Sequence, residues 1–423
     1  MLPTPETPLI DRVLTPENLN KAWKRVRSNK GAPGIDGLTI DHFTAHFREQ
    51  GKTLVESIRQ GQYQPYPVKR TYIEKEDGSL RGLGIPTVFD RVIQQAIVQI
   101  LSPIFEPEFS EFSYGYRPKR SQRQAVEQVQ EYVASGRRTA VDVDLSKFFD
   151  TVNHDLLMTL LGRKIKDKAL LKLISKYLKA GMVEDGCWFE CWEGVPQGGP
   201  LSPLLSNIIL DPMDKELERR GHKFARWADD FIILVSSKRA GLRVLKSITR
   251  FVERKLKLKV NEAKSRVVPT SQSKFLGFTF RGKSLMWHPA AVDKFKREIR
   301  KLTGRSRGIS TDKLFDELRP YMRGWINYFG IAQGYQKCID LDNWIRRRIR
   351  MYYWKLWRKV RTKVRNLMKL GVDQRTAISC GISSKSYWHS ARSYGINFAL
   401  SNEFLTEKGY YSLRDRWVEI HYG

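Results

Sequence analysis

One stretch constrains the fold of this chain more than any other: Phe224-Ala-Arg-Trp-Ala-Asp-Asp-Phe-Ile-Ile-Leu-Val235. In it, the adjacent carboxylates Asp229 and Asp230 precede a run of apolar residues, 231–235. An apolar run of this length bounded by polar residues predicts a buried strand, so we expect a β-hairpin with the aspartate pair at its tip. Carboxylates beside a packed strand raise the free energy of the fold unless a cation neutralises them. The sequence therefore predicts a Lys or Arg partner, or a divalent metal, at this tip.

A second acidic strand is predicted at Thr139-Ala-Val-Asp-Val-Asp-Leu145, where apolar and polar residues alternate. Alternation with period two places the apolar residues on one face and Asp142 and Asp144 on the other. Asp144, near the end of the strand, is the better candidate for chemistry. Asp150 is interpreted as a helix cap, because a helix is expected to begin near Asn153.

The three carboxylates of Asp144, Asp229 and Asp230 meet if their strands are neighbours. Carboxylates on adjacent strands hold two Mg²⁺ ions roughly 3.5–4 Å apart in enzymes that displace a phosphoryl group in line. Mg²⁺ suits such a site because it accepts few carboxylates and keeps waters and phosphate oxygens. A structural ion-pair cluster explains any one of these aspartates, but it explains all three poorly in so basic a chain.

The charge balance of the chain predicts a polyanionic partner. Its 423 residues include 75 Lys and Arg against 45 Asp and Glu, a formal net charge of +30, and 41% are hydrophobic, enough for a full core. Clustered cations bind nucleic acid because they release counterions from its phosphates. A ribosomal-type protein and a membrane-surface binder are the alternatives. The 11 tryptophans disfavour the first, and the lack of one dominant amphipathic helix disfavours the second.

The cysteines and the N-terminus bear on the cellular compartment. Cys187, Cys191, Cys338 and Cys380 form no zinc-binding pattern, so we interpret them as reduced thiols of a cytosolic protein. The N-terminus lacks the basic and apolar regions of a signal peptide, and no window reaches the length of a membrane span. We therefore expect a cytosolic protein that binds no membrane.

From about Met286 the composition shifts toward basic helical sequence. Residues 286–423 contain 28 Lys and Arg against 12 Asp and Glu, and residues 343–372 contain 11 basic and no acidic residues. Apolar residues recur there every three or four positions, which predicts one helical face: Ile345, Ile349, Tyr352, Leu356, Val360 and Val364. A solvated charged face is the alternative, but such faces normally mix signs.

Turn-rich and basic segments lie between these elements. Residues 68–85 predict a hairpin that turns at Asp77-Gly78, with Lys75 and Arg81 on opposite arms. The two cations either face one ligand, such as a triphosphate, or lie on a solvated hairpin edge. Residues 112–120 place aromatic residues beside cations, a combination suited to base stacking and phosphate contact.

A series of motifs in fixed order gives these segments a common interpretation. Together they resemble a reverse transcriptase encoded by a bacterial group II intron, of the compact class that lacks an endonuclease and is associated with intron subgroup C. The motifs are Gly-Ala-Pro-Gly-Ile-Asp-Gly (31–37), Ser-Tyr-Gly-Tyr-Arg-Pro (113–118), Val-Asp-Val-Asp-Leu-Ser-Lys-Phe-Phe-Asp (141–150), Pro-Gln-Gly-Gly-Pro-Leu-Ser-Pro (196–203), Ala-Asp-Asp (228–230), Lys-Val-Asn-Glu-Ala-Lys (259–264), Phe-Leu-Gly-Phe (275–278) and Arg-Gly-Trp-Ile-Asn-Tyr-Phe (323–329).

The resemblance implies an α+β right-hand polymerase with fingers and a ferredoxin-like palm, followed by an all-α thumb or maturase domain. We expect an N-terminal extension and the start of the fingers in residues 1–90. The fingers and palm are expected in residues 91–285, and the thumb in residues 286–423.

The resemblance also implies roles for single residues. Asp144 and Asp229 would be the principal ligands of two Mg²⁺ ions, with Mn²⁺ as a substitute, while Asp230 assists and the Leu145 carbonyl adds a ligand. Phe149 would contact the sugar and reject a 2′-hydroxyl. The other implied contacts of the dNTP are Lys75, Arg81, the amides of Lys147 and Phe148, Gln197 and Lys264.

Further roles concern the nucleic acid. The resemblance implies a primer grip at Phe275, Leu276 and Gly277. Basic side chains in the fingers and the thumb would bind nucleic acid: Arg117, Arg346, Arg347, Arg350, Lys355 and Arg358. The chain departs from the family at Trp227, where Tyr is usual, so an aromatic ring remains but the phenolic hydroxyl is lost.

The implied activity is RNA-templated DNA synthesis from dNTPs on a DNA or RNA primer, combined with binding of the intron RNA to assist splicing and retrohoming. Two alternatives remain: a domesticated reverse transcriptase in DNA repair or phage defence, and an RNA-binding splicing cofactor that does not polymerise. A monomer and a homodimer are both compatible with the sequence.

Overall fold

The structure is a computed structural model, and it describes residues 7–74 and 78–423. The chain divides into two compact units, Met1–Pro269 and Thr270–Gly423. The second unit thus begins before Met286, where the composition changes, because a β-hairpin of residues 278–287 packs with the helices that follow it.

The first unit combines α-helices with β-strands. The α-helices are α1 (Leu9–Val13), α2 (Pro16–Ser28), α3 (Ile40–Arg59), α4 (Val88–Phe105), α5 (Gln122–Ala134), α6 (His154–Lys164), α7 (Lys168–Leu178), α8 (Ser202–Arg219) and α9 (Lys238–Lys255). Single turns of 3₁₀ helix lie at Glu106–Glu108 and Phe148–Asp150. Side-chain caps determine where several helices begin; for example, the Thr87 hydroxyl accepts a hydrogen bond from the Asp90 amide at the start of α4.

The strands of the first unit form two sheets of four strands. They are β1 (Val68–Glu74), β2 (Leu80–Ile85), β3 (Thr139–Val143), β4 (Met182–Glu184), β5 (Cys187–Phe189), β6 (Lys223–Trp227), β7 (Asp230–Val235) and β8 (Arg266–Pro269). One sheet has the order β2-β1-β4-β5, and the other has the order β6-β7-β3-β8. All neighbours in the second sheet are antiparallel.

The second sheet has the connectivity of a ferredoxin-like palm. Helices lie in the chain between β3 and β6, a hairpin joins β6 to β7, and α9 lies between β7 and β8. This β-α-β-β-α-β order with β3 and β7 at the centre is the topology that the sequence predicted. The predicted apolar strand is also confirmed, since residues 231–235 are all buried. Each such side chain stabilises the fold by roughly 1.5–3 kcal/mol relative to exposure.

The second unit is mostly helical. It begins with the antiparallel hairpin β9 (Phe278–Arg281) and β10 (Ser284–Trp287). The helices are α10 (Pro289–Leu302), α11 (Thr311–Phe329), α12 (Tyr335–Leu356), α13 (Val360–Lys369), α14 (Gln374–Ile382), α15 (Tyr387–Ser390), α16 (Tyr394–Ala399), α17 (Asn402–Glu407) and α18 (Leu413–Tyr422). Trp287 packs against Trp325 with ring centroids 4.9 Å apart, which joins the hairpin to α11.

The single helical face predicted for residues 345–364 is wrong. Helix α12 ends at Leu356 and α13 begins at Val360, so the apolar repeat crosses a break between two helices. Leu356 and Val360 are 45% and 46% exposed, whereas Ile345 and Ile349 are fully buried. The sequence pattern did not reveal this break, because residues 357–359 contain no strong helix-stop signal such as Gly or Pro.

Candidate active site

The aspartate pair lies at the tip of the β6–β7 hairpin, as the sequence predicted. Trp227 pairs with Asp230 and closes a two-residue turn made of Ala228 and Asp229. Ala228 adopts φ +57°, a left-handed conformation that residues other than glycine rarely occupy. Such a conformation persists only where surrounding contacts hold it, so the backbone beside Asp229 depends on its neighbours.

Asp144 lies opposite this tip. The register of β3 and β7 pairs Val143 with Phe231, and its continuation sets Asp144 against Asp230. The Asp144 carbonyl accepts a hydrogen bond from the Asn261 amide at 2.8 Å, and its own amide donates to the Ser265 hydroxyl at 3.1 Å. Both backbone groups of Asp144 are therefore fixed, while its side chain stays exposed.

Asp142 shares the strand face of Asp144, but its surroundings differ. Its carboxylate forms an ion pair with Arg266 across the sheet at 3.4 Å. A cross-strand pair of opposite charge stabilises a sheet. The structure thus supports the choice of Asp144 over Asp142 as the residue available for chemistry.

Charges of both signs converge around Asp229. Burial is the main cause that raises the pKa of the Asp229 carboxyl; Asp144 raises it further, whereas Arg81 and Arg226 lower it. Burial likewise raises the pKa of the Tyr116 phenol, with Asp229 adding to the effect. Asp144, Arg81 and Tyr116 are therefore near enough to interact electrostatically with Asp229, and the two carboxylates repel each other unless a cation lies between them.

The donor atoms at this tip fit a hard divalent cation. Leu145 pairs with Val260 in an isolated antiparallel β-bridge. The two hydrogen bonds of this bridge come from the neighbouring residues: the Asn261 amide donates to the Asp144 carbonyl, and the Ser146 amide donates to the Lys259 carbonyl. The Leu145 carbonyl takes part in neither bond. Carboxylate and carbonyl oxygens are the ligands that Mg²⁺ prefers.

The arrangement is open rather than a closed cage. In residues 7–74 and 78–423, three or more His, Cys, Asp or Glu side chains nowhere converge as a metal-binding group. Asp144, Asp229 and Asp230 therefore do not form a ready-made cluster of three metal ligands in the described residues, and the predicted meeting of all three carboxylates is not seen there.

A buried arginine, which the sequence reasoning missed, supports the hairpin. Arg226 and Asp214 are fully buried, and the Arg226 Nε donates to the two Asp214 carboxylate oxygens at 2.8 and 3.0 Å. Arg226 Nη1 donates to Asn207 Oδ1 at 3.0 Å and to the Ala228 carbonyl at 2.9 Å. Arg226 Nη2 donates to the Ser113 hydroxyl at 2.7 Å. The guanidinium thus ties the strained turn to α8 and to the loop that contains Ser113.

The same turn is packed from a second side by a glycine. Asn207 donates its side-chain amide to the Gly115 carbonyl at 2.9 Å. A Cβ atom on Gly115 would lie 2.3 Å from the Ala228 nitrogen and 3.0 Å from the Trp227 carbonyl carbon. Only glycine therefore allows this approach of two backbones. The signal for both contacts was in the sequence, as a charged residue inside an apolar strand and a glycine inside an aromatic motif.

The residues predicted to bind the triphosphate are partly placed. Lys75 lies outside the described residues. Arg81 is exposed on β2 and close enough to Asp229 to affect its pKa. Lys147 adopts φ +47° just before the 3₁₀ turn Phe148–Asp150, so the amides of Lys147 and Phe148 lie at the start of that turn. These amides have no acceptor within the turn.

Two further predicted contacts lie on loops tied to this region. The Gln197 carbonyl accepts a hydrogen bond from the Gly84 amide at 2.9 Å, which ties its loop to β2. Lys264 ends a turn in which its amide bonds to the Asn261 carbonyl at 3.2 Å. Because the Asn261 amide in turn bonds to Asp144, Lys264 lies near the predicted metal ligands.

The neighbourhood of Phe149 requires one correction. Phe149 itself is 8% exposed, and its ring centroid lies 5.1 Å from that of Phe148. The interpretation of Asp150 as a helix cap is wrong, because Asn153 caps α6 by accepting from the Leu156 amide at 2.9 Å. Asp150 instead forms an ion pair with Arg70 at 3.8 Å. The polar side chain that immediately precedes the helix takes the capping position.

In the second unit, the predicted primer-grip residues form a turn. Strand β9 begins only at Phe278, and the preceding Leu276 and Gly277 have φ values of +51° and +82°. The Tyr328 hydroxyl donates to the Leu276 carbonyl at 2.8 Å, and a Cβ on Gly277 would lie 2.9 Å from the Phe329 ring. The Tyr-Phe end of the 323–329 motif thus holds this turn.

The prediction that Arg117 binds nucleic acid is not supported. Arg117 is 8% exposed, and its guanidinium forms an ion pair with Glu106 at 2.8 Å. It also donates to the backbone carbonyls of Ser110 and Ser113 and lies over the Phe109 ring. A guanidinium engaged in this way is unavailable to a phosphate, so Arg117 has a structural role.

The predicted cations of α12 and of the linker after it differ in how strongly other parts of the protein engage them. Arg350 is 9% exposed and donates to the Leu400 carbonyl, and Arg347 donates to the Trp388 carbonyl and stacks 3.8 Å from its ring centroid. Arg346 lies over the Tyr410 ring. Arg350 is therefore a packing residue, and its predicted contact with nucleic acid is wrong. Lys355 is half-buried and Arg358 is exposed.

Two protein-family models match the chain. The family model described as "Reverse transcriptase (RNA-dependent DNA polymerase)" matches residues 73–280, and the model described as "Group II intron, maturase-specific domain" matches residues 292–371. Protein YkfC of Escherichia coli K12 is 34% identical over 318 residues, which cover 66% of this chain and 82% of YkfC. The predicted family and its α+β polymerase fold are thereby confirmed.

Two other similar proteins match this chain over a smaller part of their own length. The group II intron-encoded protein LtrA of Lactococcus lactis is 32% identical over 343 residues, or 65% of this chain, which spans only 57% of LtrA. A Cas6-RT-Cas1–Cas2 complex contains a chain 29% identical to this one, with coverage of 59% and 43% and a TM-score of 0.39. At that TM-score the likeness carries no structural argument.

Among the described helices, none combines the length and apolarity of a membrane span.

Proposed function

We propose, from the premise that this chain belongs to the group II intron family of reverse transcriptases and maturases, that Asp144 and Asp229 are its principal catalytic carboxylates. The reaction of the family is RNA-directed DNA synthesis. The observation that carries the proposal is the convergence of Asp144, Arg81 and Tyr116 on a half-buried Asp229 whose pKa is raised. Repelling carboxylates fixed on two adjacent strands form a site that a divalent cation stabilises.

Two Mg²⁺ ions at this site would supply Lewis-acid stabilisation to the attacking 3′-hydroxyl and to the leaving pyrophosphate. Asp144 and Asp229 would hold both ions, Asp230 would assist, and the Leu145 carbonyl would add one oxygen. Mn²⁺ would substitute for Mg²⁺ because it accepts the same oxygen ligands. The bonded backbone of Asp144 and the supported Ala228 turn keep the two carboxylates in place.

The chain's own groups orient the dNTP. Arg81, whose charge lowers the pKa of Asp229, would neutralise the triphosphate together with Lys75. The amides of Lys147 and Phe148 would donate to phosphate oxygens. Phe149 is packed against Phe148, so its ring is held in one place and would exclude a 2′-hydroxyl by contact. Gln197 and Lys264 would complete the pocket.

The second unit would bind the nucleic acid. Phe275, Leu276 and Gly277 would contact the primer strand, because the Tyr328 hydroxyl and the Phe329 ring hold their turn in one conformation. Lys355 and Arg358, which remain accessible, would contact the backbone of the template–primer duplex or of intron RNA. Arg346 and Arg347, which lie over the rings of Tyr410 and Trp388, would contribute further contacts with the nucleic acid.

Binding of the intron RNA would let the protein assist splicing and prime cDNA synthesis during retrohoming. The match to the maturase-specific model and the net charge of +30 support this part of the proposal. We expect the protein in the bacterial cytoplasm, associated with the nucleoid through nucleic acid, as a monomer or a homodimer.

Primer extension on an RNA template with Mg²⁺ tests the catalytic assignment. We expect Asp229→Asn to reduce extension at least about 10²-fold, because the variant loses one charge of the metal site while keeping the side-chain shape. Asp185→Asn is the matched control, since Asp185 is an exposed aspartate at the φ +49° position of another two-residue hairpin turn. Equal extension by the two variants would contradict the assignment.

A further inference from the structure

A cluster of cations around one aromatic ring in the second unit includes Lys355, which is proposed above to contact nucleic acid, and two further cations that have no role so far. The Tyr387 ring centroid lies 5.4 Å from the Arg305 guanidinium, 5.2 Å from the Lys355 ammonium and 5.3 Å from the Lys363 ammonium. The four residues, here called the Tyr387 cluster, come from the α10–α11 loop, α12, α13 and α15. The tertiary fold therefore brings Arg305 close to Lys355 and Lys363, which lie far from it in the sequence.

The cluster lacks the carboxylate that such a group normally has. Within residues 7–74 and 78–423, none of the three cations forms an ion pair or a hydrogen bond with the protein. Arg307, two residues after Arg305, shows the contrast because it pairs with Glu317 at 2.5 Å. Lys363 is only 8% exposed, and a buried ammonium without a carboxylate is costly.

Aromatic rings offset only part of this cost. Lys363 lies 4.6 Å from the buried Trp354 ring centroid as well as beside Tyr387. The attraction of a cation to an aromatic face is weaker than its attraction to a carboxylate at the same distance, because the ring carries no net charge. That attraction does not remove the repulsion of three like charges around one ring, so the cluster is complete only with an anion.

We propose that the Tyr387 cluster binds a phosphodiester of RNA. The several oxygens of a phosphate can accept hydrogen bonds from separate donors. The Tyr387 hydroxyl, which has no hydrogen-bond partner among the described residues, would be one more donor. RNA fits better than an acidic peptide because residues 343–372 contain 11 basic and no acidic residues, so neighbouring phosphates also meet cations. The inference rests on the proposed RNA binding of this chain and names one of its contacts.

The cluster differs from the other cations of the same region. Arg347 and Arg350 donate to the carbonyls of Trp388 and Leu400 and are thus engaged by the protein. Lys359 and Arg361 are exposed on both sides of the α13 start. They carry the same charge as Lys355 and Lys363 but lie outside the cluster, so they provide a matched control.

The test compares the full chain with Lys355→Met/Lys363→Met and with Lys359→Met/Arg361→Met. Two measurements are made: the shift of Tm by inorganic phosphate, and the affinity for a single-stranded RNA as a function of salt. We expect phosphate to raise the Tm of the wild type and of the control pair but not of the cluster pair. We also expect the cluster pair to bind RNA about tenfold more weakly than the control, with a salt slope smaller by roughly 1.4.

Several results would overturn the proposal. Equal phosphate shifts and equal RNA affinities in the two pairs would show that the cluster is no anion site. Loss of the phosphate shift with unchanged RNA affinity would assign the site to free phosphate. Displacement of the RNA by poly-glutamate as readily as by an RNA of equal charge would favour an acidic peptide.

Two further controls keep the outcome interpretable. If the cluster pair does not fold, Arg305→Met on the exposed loop replaces it, with the same expected direction. Primer extension at saturating template separates this inference from the proposed catalysis. Weakened RNA binding in Arg305→Met with extension retained at saturating template supports the Tyr387 cluster, whereas unchanged RNA binding in Arg305→Met contradicts it even if Asp229→Asn abolishes extension.

Discussion

The ion pair of Arg226 and Asp214 allows a prediction that links stability to catalysis. Both side chains are fully buried, and Arg226 bonds to the Ala228 carbonyl, one residue before Asp229. Burial raises the pKa of Asp214, and Arg226 is the main opposing cause. The Asp214→Asn substitution keeps the shape of the side chain but leaves the guanidinium without its counter-charge.

The expected loss of stability follows from the burial. Removing one partner of a buried pair costs about 3–5 kcal/mol, because an uncompensated charge stays in the interior. At roughly 2–4 °C per kcal/mol for a domain of 150–250 residues, the Tm should fall by about 10 °C. Glu216→Gln on the same helix is the control, since Glu216 pairs with Arg219 and Arg220 near the surface. Surface pairs contribute about 0–1 kcal/mol.

The catalytic effect should be separable from the stability effect. Assayed well below its Tm, Asp214→Asn should need more Mg²⁺ for half-maximal primer extension, because the Ala228 turn that positions Asp229 is loosened. A displacement of about 1 Å is enough to reduce the rate about 10²-fold. A purely structural role predicts an unchanged Mg²⁺ dependence in the folded variant. Such a result, or a Tm within the range of the Glu216→Gln control, would refute the reasoning.

Two other predictions concern the sugar contact and a buried carboxyl. Phe149→Val should raise rNTP incorporation relative to dNTP in single-nucleotide extension, because the packed ring is shortened; unchanged sugar selection would reject the assignment. Burial raises the pKa of Asp90 to about 6, while Tyr63 and Thr87 bond to the carboxylate. The folded state thus holds this proton more tightly than the unfolded chain, so the stability of the wild type relative to Asp90→Asn should increase as pH falls from about 7 to about 4. Urea unfolding of the wild type and of Asp90→Asn at several pH values measures this difference. A difference in the free energy of unfolding that is the same at every pH would show that Asp90 does not titrate in this range.

Local patterns predicted the parts of the fold whose contacts are local. The apolar residues 231–235 identified a buried strand, and the aspartates before them identified the hairpin tip. Alternation in residues 139–145 placed Asp144 on the polar face. These predictions succeed because strand periodicity and turn position depend on neighbours in the chain.

Predictions failed where the partner of a side chain is distant in sequence. Arg117 resembles a phosphate-binding cation in its aromatic-rich motif, but Glu106 and two carbonyls engage it. Arg350 lies in a basic segment without acidic residues, yet its Nε donates a hydrogen bond to the Leu400 carbonyl. The pattern shows a charge but does not show whether a carbonyl or a carboxylate will meet it.

The sequence by itself determined that two adjacent carboxylates would stand at a hairpin tip, and that a polyanion would be the partner of so basic a chain. Only the tertiary structure decided how that tip is held. Arg226, Asp214 and Ser113 come from three separate segments, and Gly115 allows a fourth contact with the turn. The physical reason is that hydrogen bonding and close packing depend on distances in space, which the spacing of residues along the chain does not specify.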